Sequence, residues 1–133
     1  MSTEPSQTPG QVGGGPLVLV VDDDPRIRQM ISWALEEDGF GVETAEDGQQ
    51  ALERAAGRRP ELVILDMTLP VLDGYGVAAG LRVAHGDALP ILAITADGSA
   101  AEKARRVGAY TYLKKPFDVE DLLRAVQQGL GRR

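Results

Sequence analysis

Five short strand-like runs, apolar throughout in the clearest cases, are spaced by stretches in which apolar residues recur every three or four positions. The runs are Leu17–Val21, Val42–Ala45, Leu62–Leu65, Ile91–Ile94 and Thr111–Leu113. Continuous apolar runs of this length read as strands covered on both faces, as in parallel sheets. The intervening stretches read as helices. Ile27, Met30, Ile31, Ala34 and Leu35 share one face of the first, with Asp24-Pro25 as cap and first-turn proline and Gly39 as its close. The second is expected from Gly48 to Arg59, entered by Asp47 and stopped by Pro60. The third covers Gly74 to Ala84 and is weakened by Gly76 and Gly80. The fourth, Ser99 to Val107, carries mostly alanine on its apolar face, and the last places Val119, Leu122, Leu123 and Val126 together behind Asp118. Alternating strand and helix with short connections implies an α/β fold, a doubly wound five-stranded parallel sheet with right-handed crossovers.

Residues 1–16 (MSTEPSQTPGQVGGGP) break this rhythm and hold almost no apolar side chains. Too little surface is available there to offset the entropy of ordering, so a flexible tail is expected, with one domain over residues 17–133. The 133 residues suffice for a single core, and 43% hydrophobic content is that of an ordinary globular chain. A net charge of -6 gives no electrostatic case for nucleic acid or anionic membrane. The absence of cysteine excludes disulfides and zinc–thiolate sites. No apolar stretch approaches the roughly 20 residues of a membrane span, and no signal peptide is visible, so a cytoplasmic location is expected.

Candidate chemistry sits where the apolar runs stop. The first ends at Asp22-Asp23-Asp24, the third at Asp66, and the last at Lys114-Lys115-Pro116. Open α/β sheets bind ligands beyond the carboxyl ends of their strands. Clustered carboxylates repel one another and call for a cation, which points to magnesium and phosphate chemistry. Bland readings apply to several neighbours. Asp24, Asp47, Asp73 and Asp118 suit helix caps or turns. Alternation along a strand turns Lys114 away from any site that Lys115 serves. His85, the only histidine, is expected in an exposed turn. Trp33 lies opposite the apolar stripe of the first helix and is expected to be partly exposed, where a partner-docking role is open to it.

In combination these motifs resemble the receiver domains of bacterial two-component response regulators. The resemblance covers Leu17 to about Leu130. It rests on Val20-Val21-Asp22-Asp23-Asp24-Pro25, Leu65-Asp66-Met67-Thr68-Leu69-Pro70 with Asp73-Gly74, Ile94-Thr95-Ala96 and Lys115-Pro116-Phe117. It implies the flavodoxin-like strand order 2-1-3-4-5. It also implies that Asp66 accepts a phosphoryl group, and that Mg2+ (or Mn2+) is bound by Asp23, Asp66 and the backbone carbonyl of Thr68, with Asp22 beside them. Thr95 and Lys115 are then expected to bind phosphoryl oxygens, and Lys115-Pro116 to be a cis peptide. Tyr112 is expected to act with Thr95 as the switch, altering the face made by the fourth helix, fifth strand and fifth helix. Implied partners are a sensor histidine kinase or a histidine phosphotransfer protein, and an unknown downstream protein. The chain would act as a monomer or a weak phosphorylation-dependent dimer, catalysing only its own phosphotransfer and dephosphorylation.

Two features sharpen the expectation. The stretch from Thr95 to Gly108 is shorter than is usual in that family, so the fourth helix should be short, while Thr68 and Asp97 occupy the positions that tune dephosphorylation there. No output domain follows the last helix in this sequence, so output by protein contact or onward relay is expected. Competing readings are a haloacid-dehalogenase-like phosphatase using Asp22 and Asp24, a non-phosphorylated pseudo-receiver, and an FMN carrier, the last disfavoured by repulsion between the acids and a flavin phosphate.

Overall fold

The computed structural model describes residues 14–67, 74–86, 88–96 and 98–131. Ten elements alternate: β1 (Leu17–Val21), α1 (Pro25–Glu37), β2 (Gly41–Ala45), α2 (Gly48–Gly57), β3 (Leu62–Asp66), α3 (Gly74–His85), β4 (Ile91–Thr95), α4 (Ala100–Val107), β5 (Thr111–Lys114) and α5 (Val119–Gly129). The strands are all parallel in the order β2-β1-β3-β4-β5, as the resemblance implied.

The runs of β1, β3 and β4 divide their side chains between two cores. Val18, Val20, Leu62, Ile64, Leu92 and Ile94 face α1 and α5, where they meet Ile31, Leu35, Leu122 and Val126. Leu19, Val21, Val63, Leu65, Ile91 and Ala93 face α2, α3 and α4, where they meet Ala51, Ala55, Val77, Leu81, Ala104 and Val107. Burial on both faces is why these strands read as unbroken apolar runs instead of alternating ones.

Asp24, Asp47 and Asp118 cap α1, α2 and α5, accepting from the N–H groups of Arg26, Gln50 and Asp121. Asp73 lies outside the described residues. Helix α2 stops at Gly57, short of the expected Arg59. Arg58 is extended, and the proline at position 60 disfavours a helical Arg59. Gly80 is where α3 meets α2. A Cβ there would come 2.8 Å from a Leu52 methyl, so this glycine serves packing, although it was expected to weaken the helix. Helix α4 has only eight residues, with no side-chain cap bond from Ser99. Gly15 and Pro16, expected in the tail, are already tied to Gly39 and to the first residue of β2 through Gly15 N to Gly39 O and Gly41 N to Pro16 O. The rest of the expected tail, residues 1–13, lies outside the described residues.

Candidate functional site

Register brings the acids together. Val21 pairs with Leu65, so the next step along both strands sets Asp22 beside Asp66. Asp66 in turn pairs with Ile94, and Thr95 with Lys114. The carboxyl ends of β1, β3, β4 and β5 thus deliver Asp22, Asp66, Thr95 and Lys115 to one edge. Asp22, Asp66 and Thr95 are buried, whereas Asp23 is exposed at the rim. Carboxylate oxygens of Asp22, Asp23 and Asp66 lie within 4.8 Å of one another.

Among the described residues one ammonium serves this group. Lys115 Nζ is 2.8 Å from Asp22 Oδ2 and 3.5 Å from Asp66 Oδ2. Lys114 is exposed, as strand alternation required. The Lys115-Pro116 peptide is cis, and the Lys115 N–H donates to the Thr95 carbonyl at 2.8 Å, anchoring the lysine against β4. Burial pushes the Asp22 carboxyl above its ordinary value; Lys115 and the Asp24 N–H pull it back, and the Asp66 charge raises it further. For Lys115, burial acts to lower the pKa, but the two carboxylates outweigh it and hold it above the usual lysine value.

These donors fit a hard divalent cation. Among the described residues, three carboxylates against one ammonium leave formal negative charge at a partly open edge, and magnesium is held by a few carboxylates with retained water. Asp24 stands apart from the cluster. Its carboxylate accepts from the Arg26 N–H at 2.9 Å, a bond that lowers its pKa. The other expected positions, Thr68 and Asp97, lie outside the described residues.

Profile comparison matches residues 18–127 to the response regulator receiver domain. The chain belongs to that family. It is 44% identical over 117 residues to the response regulator MprA of Mycolicibacterium vanbaalenii, an alignment covering 86% of this chain and 50% of the relative. It therefore spans about half the length of the curated relatives it matches. Among solved structures, the Vibrio cholerae chemotaxis protein CheY4 superposes with a TM-score of 0.82 at 38% identity, covering 87% of this chain and 99% of that one. The receiver domain of the Pseudomonas aeruginosa sensor histidine kinase PA1611 superposes with a TM-score of 0.80 at 35% identity, covering 88% and 98%. That structure carries a magnesium ion coordinated in its active-site cleft. This chain is accordingly a receiver domain of two-component response regulators.

Two side chains depart from the simplest expectation for this receiver. His85 forms the last residue of α3, not an exposed turn, and its Nε2 is sealed from solvent. Arg28, not singled out among the candidate residues, donates from its guanidinium to the Asp22 carbonyl at 2.7 Å. Its signal was a basic residue one turn into the helix that leaves the acidic run. Trp33 is 62% exposed, as its helical position required. It lines a groove of about 400 Å3 with Arg26, Met30, Glu37 and Val119, between α1 and the start of α5.

Proposed function

We propose that Asp66 is the phosphoacceptor of this receiver, working with magnesium (or manganese) held by Asp23 and Asp66, with Asp22 alongside. The observation that carries this reading is the convergence of three carboxylates within 4.8 Å, with Lys115 reaching both Asp22 and Asp66. A carboxylate oxygen of Asp66 attacks the phosphorus of a phosphohistidine on a sensor kinase or phosphotransfer protein. The new O–P bond forms as the P–N bond breaks, and the electron pair leaves with the imidazole, which takes up a proton. The product is an acyl phosphate, whose lability suits a transient signal. Magnesium, when bound, neutralises charge on the phosphoryl oxygens. Lys115 pairs with one of those oxygens and Thr95 donates its hydroxyl to another, so the protein supplies mainly position and compensating charge.

Thr95 is buried and Tyr112 is 41% exposed, which suits a switch in which the tyrosine turns inward after Thr95 engages the phosphoryl group. Output then passes through the α4, β5 and α5 face to a downstream protein or a second copy of this chain. The phosphatase alternative is disfavoured because Asp24, its general acid, is committed to capping α1. No helix among the described residues is long and apolar enough to cross a membrane.

The assignment is tested by treating the protein with a small acyl-phosphate donor and Mg2+, quenching with hydroxylamine, and locating the hydroxamate by peptide mass spectrometry. Modification at Asp66 is expected. Modification at Asp22 would overturn the assignment.

A further inference from the structure

Three polar groups of Asp22 are hydrogen-bonded, and its buried Oδ2 has the Lys115 ammonium as an ion-pair partner without a hydrogen bond. Its N–H donates to the Ala45 carbonyl at 3.2 Å, its Oδ1 accepts from the Asp24 N–H at 2.9 Å, and its Oδ2 faces Lys115 at 2.8 Å. The remaining group, the main-chain carbonyl, accepts the Arg28 guanidinium at 2.7 Å. Arg28 also makes the first helical bond of α1, its own N–H donating to the Asp24 carbonyl at 3.0 Å. The side chain therefore reaches back over the acidic turn from the helix that the turn begins.

The carbonyl it grips belongs to the peptide joining Asp22 to Asp23. A peptide is planar, so fixing that oxygen also fixes the N–H and Cα of Asp23. Asp23 is exposed, and among the described residues its side chain makes no hydrogen bond or ion pair. Its place in the cluster comes from the main chain.

We propose that Arg28 is a positioning residue for the cation site, holding the Asp22–Asp23 peptide so that the Asp23 carboxylate meets those of Asp22 and Asp66 before the cation arrives. The inference rests on the reading of this edge as a magnesium-dependent phosphoacceptor site. Two effects of Arg28 oppose each other. Its positive charge disfavours a divalent cation, whereas its charge-assisted hydrogen bond orders a ligand-bearing turn. Solvent and salt screen the charge more than they weaken a short, partly buried hydrogen bond, so the ordering effect prevails. A planar guanidinium also holds its geometry better than a flexible ammonium.

The test is calorimetric titration of Mg2+ into the wild type, Arg28→Gln and Arg28→Lys, with circular dichroism and thermal unfolding of each. Arg28→Gln is expected to weaken Mg2+ binding about 10-fold, at the low end of what losing a group that orients metal ligands does. Arg28→Lys should recover part of the loss. Phosphorylation of Asp66 should require more Mg2+ for half-saturation in Arg28→Gln, yet approach the wild-type rate at saturating Mg2+. Unchanged or tighter Mg2+ binding in folded Arg28→Gln would overturn the proposal, as would a loss no larger than the unfolded fraction. If Arg28→Gln does not fold, Arg28→Lys carries the test, and wild-type affinity in that variant overturns it. Failure of the wild type to bind Mg2+ would sink the phosphoacceptor reading as well; an effect missing only in the variants would sink this inference alone.

Discussion

Lys115 leans toward Asp22 (2.8 Å) and stands farther from Asp66 (3.5 Å), so the ammonium is shared unequally between two buried acids. Removing it leaves Asp22 buried beside Asp66 without its nearest countercharge. Because the ammonium keeps partial access to water, Lys115→Ala is expected to cost about 1–2 kcal/mol, less than breaking a fully enclosed pair. Chemical denaturation in EDTA measures this, and added Mg2+ should restore part of the loss.

The same pair sets two pH windows with opposite signs. The Asp22 carboxyl titrates above its ordinary value of 3.8 in the folded protein, so the folded state binds that proton more tightly. Stability relative to Asp22→Asn should therefore rise as pH falls from neutral toward the usual carboxylate range. The Lys115 ammonium is held above its ordinary 10.5, so its contribution is complete below that pH and is lost as pH rises through the folded value. Denaturation of wild type, Asp22→Asn and Lys115→Met across pH in EDTA checks both. A flat difference in either window would contradict the corresponding assignment.

Much of this arrangement was legible in the chain because strand geometry is periodic. The apolar runs fixed which residues end each strand, so Asp22, Asp66 and Lys115 could be placed at one edge, and alternation separated Lys115 from Lys114; Thr95 joined them only through the family resemblance. The caps at Asp24, Asp47 and Asp118 followed from residue type next to an apolar face. What stayed hidden depends on side-chain reach across elements. The grip of Arg28 on Asp22, the bias of Lys115 toward Asp22 and the seat of Gly80 against Leu52 need three-dimensional distances that no local pattern carries. The glycine after His85 carries a turn signal, yet α3 runs up to His85.

Gly74 opens α3 directly against Met67, the residue after Asp66. A Cβ at Gly74 would lie 2.8 Å from the Met67 Cα and 2.9 Å from its Sδ. The backbone there cannot yield without disturbing Asp66, so Gly74→Ala should destabilise the fold by about 1–3 kcal/mol, in the range of overpacked sites. It should also slow phosphorylation, whereas Gly57→Ala, with open space around its Cβ, should do neither. Denaturation midpoints and phosphorylation rates check the pair.

Trp33 lines a groove that runs along α1 from Arg26 to Glu37 and meets Val119 at the start of α5, and an exposed aromatic there suits a docking anchor for a protein phosphodonor. Trp33→Ala is expected to raise the KM for transfer from a phosphorylated kinase or phosphotransfer protein by about 10-fold, the scale of an aromatic interface anchor. Transfer from a small phosphodonor should be unchanged. Equal effects on both donors would place the role of Trp33 in the fold instead.

The most direct measurement is the intact mass of wild type, Asp66→Asn and Asp22→Asn after incubation with a small phosphodonor, with Mg2+ or with EDTA. The expected result is a single labile phosphoryl adduct on the wild type that requires Mg2+ and is absent from Asp66→Asn. An adduct retained by Asp66→Asn, or lost only in Asp22→Asn, would contradict the assignment of Asp66 as the phosphoacceptor.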